Sequence, residues 1–199
     1  MAIVMQMKWT EVTPEQYDEA CRVVNWEGDV PDGGVLHVAW FDRGLNVWDV
    51  WDTAQSFEAF VNDRLMPGIA QIGIAGQPEI TILPCHAYQV ATAPGVDAVL
   101  EDGQMPANEY DAFAREVDWV GTPPVGGIAH IAALRDEKTV HFLSVWDGPS
   151  AHQAFATDRV LPAGKALGSP PPEGAEAAPD FRALHRMFDV SGARAASRS

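Results

Sequence analysis

Six histidines are the side chains of this sequence best suited to acid–base chemistry near neutral pH: His37, His86, His130, His141, His152 and His185. Four of them recur in pairs. His37 and His130 each follow a double glycine, in GGVLH and GGIAH, while His86 and His185 sit in EITILPCHAYQV and DFRALHRMFDV. A strand imidazole facing a partly dry cavity is placed to act as a general base, taking the proton of a phenol or enol and leaving an electron-rich anion. The same four rings could instead hydrogen-bond across a seam between two halves of the chain and hold it together. Recurrence does not separate these readings, because common ancestry produces both. His141 and His152 occur in one half only, where Asn46 and Phe57 are the counterparts. His152 replaces an apolar helix residue and is expected at the surface. His141, beside Phe142 on a strand, is a candidate to line a cavity with His130.

Seven tryptophans follow in interest. Trp51 and Trp146 recur in VWD, and Trp26 and Trp119 end a helix in each half, so these four are read as core. Trp40 and Trp48 face Ala133 and Leu143 in the comparison of halves. They are candidates for an aromatic wall against a planar ligand, with hairpin packing as the alternative. Asp52 and Asp147 are read as helix N-caps, and Asp63–Arg64 and Asp158–Arg159 as forming local or inter-element ion pairs. No Gly-rich phosphate loop, HExxH or GxSxG occurs, and no two histidines share helical i, i+4 spacing. Neither a cofactor nor a metal is expected.

These residues are positioned by an internal duplication. YDEACRVVNW (17–26) returns as YDAFAREVDW (110–119), and the same offset of 93 carries Gly33, Gly34 and His37 onto Gly126, Gly127 and His130. After a two-residue change in a hairpin, VWDTAQSFEAFVNDRLMP (50–67) matches VWDGPSAHQAFATDRVLP (145–162) at 8 of 18 positions. Apolar spacing and Gly/Pro punctuation predict the same elements in each half. These are a strand (3–9; 96–101), a helix from Pro14 or Pro106, and strands at 35–41 and 46–52 (128–134 and 140–147). A second helix (54–72; 149–167) and a last strand (79–90; 180–190) complete the set. The order βαββαβ, twice, implies an α+β fold of two ferredoxin-like repeats, 1–93 and 94–190, with antiparallel sheets packed on each other. A Pro/Ala/Glu-rich connection (166–181) is expected to be a solvated loop or a lid, and the tail 191–199 disordered.

Composition bounds the partners. The chain has 199 residues, a net charge of −15, 47% hydrophobic residues and two cysteines, Cys21 and Cys85. So acidic a chain argues against nucleic acid and anionic membranes, which demand a basic face. No apolar run is long enough to span a bilayer, and the opening MAIVMQMKWTEV does not read as a secretory signal. A reduced, cytoplasmic setting is expected, with a small molecule as partner.

The run from GGVLH and GGIAH through VWD to AF…DR…P resembles the dimeric α+β-barrel superfamily, and within it antibiotic-biosynthesis-monooxygenase-like domains. The likeness spans about 3–92 and 96–190. It implies an intrachain pseudo-dimer, which could dimerise further, and a cofactor-independent monooxygenase acting on aromatic or polyketide-like compounds. His130, His37, His185 and His86 would then be the acid–base candidates, with His141, Trp40 and Trp48 as ligand contacts. A non-oxidative isomerase or cyclase, or a non-catalytic barrel filled by its own side chains, would use the same fold.

Overall fold

The computed structural model describes residues 1–168 and 179–189. Most of the connection read as a loop or lid, and the tail, lie outside the described residues. The first half forms β1 (Ile3–Trp9), α1 (Pro14–Val24), β2 (Gly34–Phe41), β3 (Leu45–Trp51), α2 (Ala54–Phe60), α3 (Met66–Ile72) and β4 (Glu79–Val90). The second forms β5 (Val99–Pro106), α4 (Ala107–Val117), β6 (Gly127–Leu134), β7 (Thr139–Trp146), α5 (Pro149–Phe155), α6 (Leu161–Ala166) and β8 (Arg182–Asp189). The order is βαββαβ twice over.

Local chemistry explains most boundaries. Thr13 and Gln16 form a reciprocal capping box at the start of α1, and Asn25 ends it in the left-handed region at φ 52°. Strand β5 runs to Pro106, further than the expected 101, and the proline then serves as the cap of α4. The single helix expected over 54–72 is interrupted by a π-helical turn at Val61–Leu65, and its counterpart by one at Ala156–Val160. Pro67 and Pro162 follow these turns; a proline lacks an N–H and crowds the carbonyl four residues back, which a wider turn relieves. One reading is corrected here. Thr53 and Gly148, not Asp52 and Asp147, occupy the N-cap positions of α2 and α5. Arg64 and Arg159 bind carbonyls, and Arg64 also makes an inter-element ion pair with Asp29. Arg64 donates to Val24 O (2.5 Å), Asn25 O (3.0 Å) and Asp29 O (2.6 Å), with the Asp29 carboxylate at 3.5 Å. Arg159 donates to Val117 O and Thr122 O. Each guanidinium thus closes the C-terminus of the preceding long helix, where the helix dipole favours a cation.

Among the described residues the chain divides into two compact units, Met1–Cys85 with Leu184–Asp189, and residues 86–183. In the first, antiparallel strands run in the order β4–β1–β3–β2–β8, with Val38 facing Trp48 across β2 and β3 and His37 facing Phe188 across β2 and β8. In the second the order is β8–β5–β7–β6–β4, with His130 facing Ser144 across β6 and β7. One face of each sheet carries the helices. Under them in the first unit lies an aromatic core in which Trp26 meets Trp51 edge to face (4.8 Å), with Phe57 and Phe60 alongside. Trp119 and Trp146 repeat that contact at 4.9 Å in the second, so the four recurring tryptophans are core.

Replacing Arg64 by Met keeps the aliphatic stem but orphans three carbonyls. It should lower unfolding free energy by about 2 kcal/mol. Urea denaturation followed by tryptophan fluorescence reads this; an unchanged midpoint would refute the capping role.

Candidate functional site

On the helix-facing side of the first unit, strand alternation brings His37 (β2) and Asp49 (β3) beneath Tyr17 of α1. Tyr17 Oη lies 2.6 Å from His37 Nε2, and His37 Nδ1 lies 2.7 Å from Asp49 Oδ1. A carboxylate only accepts, so Nδ1 carries the proton to it and Nε2 accepts from the phenol. Burial holds the Tyr17 hydroxyl well above its ordinary pKa, keeping it a donor. Phe188 of β8 stacks on His37 with ring centres 4.6 Å apart. Beside it Arg186 pairs with Asp18 and Glu27. What remains is a cavity of about 80 Å³.

The second unit repeats the frame with different contents. Tyr110 Oη lies 2.8 Å from His130 Nε2, and His130 Nδ1 lies 2.9 Å from Ser144 Oγ, where the first unit has Asp49. Instead of a small void there is a cleft of about 940 Å³, walled by Phe113, Trp119, Phe142 and Phe155. Sequence differences account for the opening. His86 and His185 are equivalents, so Ala87 and Gln89 stand where Arg186 and Phe188 close the first unit. Trp51 pairs with Ile3 as Trp146 pairs with Val99, so Met5 and Met7 correspond to Glu101 and Gly103. Phe57 corresponds to His152. These last changes meet: His152 Nε2 and Glu101 Oε1 are 2.9 Å apart, and both residues line the cleft.

His152 is therefore not the surface residue expected from its helix position. Its side chain is 14% exposed and rests edge-on against Trp146 and Phe181. His86 lines the cleft, bonded to Asp111 of α4 at 2.7 Å and edge-on to Tyr110. His185 mirrors it in the first unit, with Asp18 at 3.0 Å and Tyr17 against its ring. Each recurring tyrosine thus stands between the two recurring histidines of its unit. His141 does not join His130: alternation turns it to the opposite face of β7, where it pairs with Asp102 at 3.2 Å. That hydrogen bond, with Arg182 beside it, holds the Asp102 carboxyl down at about 2. Trp40 and Trp48 are buried on the sheet face away from the helices and line neither space. The histidine site of each unit lies between its helices and its sheet.

The sequence reading missed Tyr17, Tyr110, Ser144 and Glu101 as site residues. A signal existed for the tyrosines, which recur 20 residues before His37 and His130. The two cysteines are free, and burial pushes both thiols up, Cys85 to about 11. Among the described residues no group of three His, Cys, Asp or Glu is placed to hold a metal ion, and no helix is long and apolar enough to cross a membrane.

No family model and no curated protein matches this sequence. Solved structures do. A "putative monooxygenase" from Lactobacillus acidophilus superposes with a TM-score of 0.63 at 14% identity, covering 94% of this chain and 96% of its own. Another of the same description from Fusobacterium nucleatum gives 0.67 at 11% identity, covering 94% of each chain. The chain has the dimeric α+β-barrel fold. An anthrone oxidase-like protein is also similar, with a TM-score of 0.50 at 14% identity over 96% of this chain and 93% of that one. At such identities the α+β-barrel likeness carries the fold, and the chemistry must come from the residues of the site.

One of those residues has a testable electrostatic state. Burial pushes the His130 imidazole down from 6.5 to about 4, so the ring is neutral at pH 7. The unfolded chain takes this proton first on acidification. The stabilisation is therefore complete above pH 6.5 and drains away as the pH falls toward 4. An NMR titration should place the His130 midpoint near 4, and His130→Gln should flatten the acid limb of the stability profile. A midpoint near 6.5 would contradict the burial.

Proposed function

We propose that this protein is a small-molecule enzyme of the cofactor-independent monooxygenase kind, acting on an aromatic or polyketide-like compound in the cleft of the second unit. The observation that carries this reading is the difference between the units. The same Tyr–His frame is packed shut in one and opens on about 940 Å³ of aromatic-walled space in the other. The anthrone oxidase-like neighbour suggests the substrate shape, a planar tricycle with an acidic methylene flanked by rings.

Both nitrogens of His130 are engaged by protein groups, so the substrate meets the Tyr110 hydroxyl. The proton leaving the substrate passes to Tyr110 Oη as Tyr110 passes its own to His130 Nε2, while Ser144 holds the ring through Nδ1. His86, tied to Asp111, flanks the tyrosine. The resulting carbanion or enolate is electron-rich enough to reduce molecular oxygen directly; for a methylene, one O₂ yields the ketone and one water. His37 and His185, in the packed unit, hold α1 to its sheet.

Anthrone is the probe. Oxygen uptake with one equivalent of quinone formed is expected, and His130→Gln or Tyr110→Phe should slow it about a hundredfold or more. Conversion under nitrogen would favour an isomerase or cyclase. Neither turnover nor binding of anthrone would favour a non-catalytic role.

A further inference from the structure

The cleft contains a second polar centre, absent from the other unit. Glu101 and His152 occupy the positions of Met5 and Phe57, which belong to the apolar core of the first unit. Two adjacent apolar positions have become a carboxylate and an imidazole in contact at 2.9 Å, both largely buried. Taking such a pair out of water is unfavourable compared with the apolar pair it replaces, so packing alone gives no reason for it.

The contact indicates what it does. His152 Nδ1 is shut from water and has no partner among the described residues, while Nε2 lies 2.9 Å from Glu101 Oε1 as an ion-pair contact. The imidazole thereby fixes one carboxylate oxygen of Glu101, and a carboxylate has a second to offer. Among the described residues the lining also includes Asp111, Asp118 and Asp180, while Arg182 is paired with Asp102. An anion entering this space meets like charge from several directions.

We infer that Glu101, positioned by His152, is a specificity-determining acceptor that selects aromatic ligands bearing a neutral hydroxyl and rejects aromatic carboxylates. Resting on the reading of the cleft as a ligand site, this deepens it: the ligand has a donor at Glu101 in addition to the group presented to Tyr110. A bound hydroxyl gives Glu101 a charge-assisted hydrogen bond in a largely dry setting, where such bonds are strongest. A methyl ether has nothing to donate, and a carboxylate is repelled.

The test uses the full chain and three rigid probes of one ring system: 2,6-dihydroxynaphthalene, its dimethyl ether and naphthalene-2,6-dicarboxylate, with affinities from calorimetry at pH 7.5. The diol should bind about tenfold more tightly than either analogue, the loss expected for one charge-assisted hydrogen bond. Glu101→Met with His152→Phe restores side chains that the first unit packs in the same frame, so the fold has a precedent. This variant should erase the diol's advantage while leaving ether binding within about twofold. Glu101→Gln keeps the shape and removes the charge, and should relax rejection of the dicarboxylate. Equal binding of diol and dicarboxylate by the wild type, an undiminished diol preference in the double variant, or no binding of any probe would each overturn the inference. Because no step consumes oxygen, diol selection without anthrone oxidation would overturn the proposed reaction and leave this assignment standing.

Discussion

Everything in the site hangs on one hydrogen bond made twice, from a helix tyrosine to a strand histidine. Tyr17 Oη to His37 Nε2 and Tyr110 Oη to His130 Nε2 join the first long helix of each repeat to the second strand. A buried imidazole has two nitrogens to satisfy, and the tyrosine takes one. The other must find a partner on the adjacent strand, because β2 and β3, or β6 and β7, bring one residue opposite. With Nε2 accepting, Nδ1 is the donor. Tautomer and ring orientation then follow without any contribution from a ligand.

What differs is the partner on the adjacent strand. Asp49 gives His37 an ionised acceptor, and the packed surroundings of Phe188 and Arg186 close over the pair. Ser144 gives His130 a neutral acceptor, no charge opposes burial, and the ring stays neutral well below pH 7. The first arrangement encloses its histidine among protein groups on every side. The second keeps a proton-accepting ring behind a tyrosine that borders open space. The exchange of carboxylate for hydroxyl, with Ala87 and Gln89 in place of Arg186 and Phe188, helps separate a structural cluster from a candidate reactive one.

Much of the fold was legible because it is written as periodicity. The βαββαβ order, the core tryptophans and the duplication all follow from spacing and from residues that recur, such as Trp26 and Trp119. The site was legible only in part. Recurrence singled out His37, His130, His86 and His185, and strand alternation alone could not say which face of each sheet would carry the helices. That choice sent His130 toward Tyr110 and His141 away from it. His152 was misplaced for a related reason: a histidine on a helix otherwise apolar at that position reads as exposed, and only the register of β5 reveals Glu101 waiting for it. Pairings between residues about 50 apart, whose types do not recur, leave no trace in a comparison of the two halves.

The tandem arrangement itself removes a constraint. In a homodimer of single units every substitution appears at both sites, so Phe57→His would empty the aromatic core of each protomer. Here Phe57 stays packed against Trp51 while its equivalent pairs with Glu101. A large cavity and a buried polar pair are both destabilising relative to a filled apolar core. Covalent duplication confines them to one unit, and the other retains the tight packing that the same frame permits. The difference between about 80 and about 940 Å³ is thus a record of where packing was kept and where it was given up. Surrendered packing that is lined with paired polar groups, rather than left as a bare apolar void, is what a binding site requires.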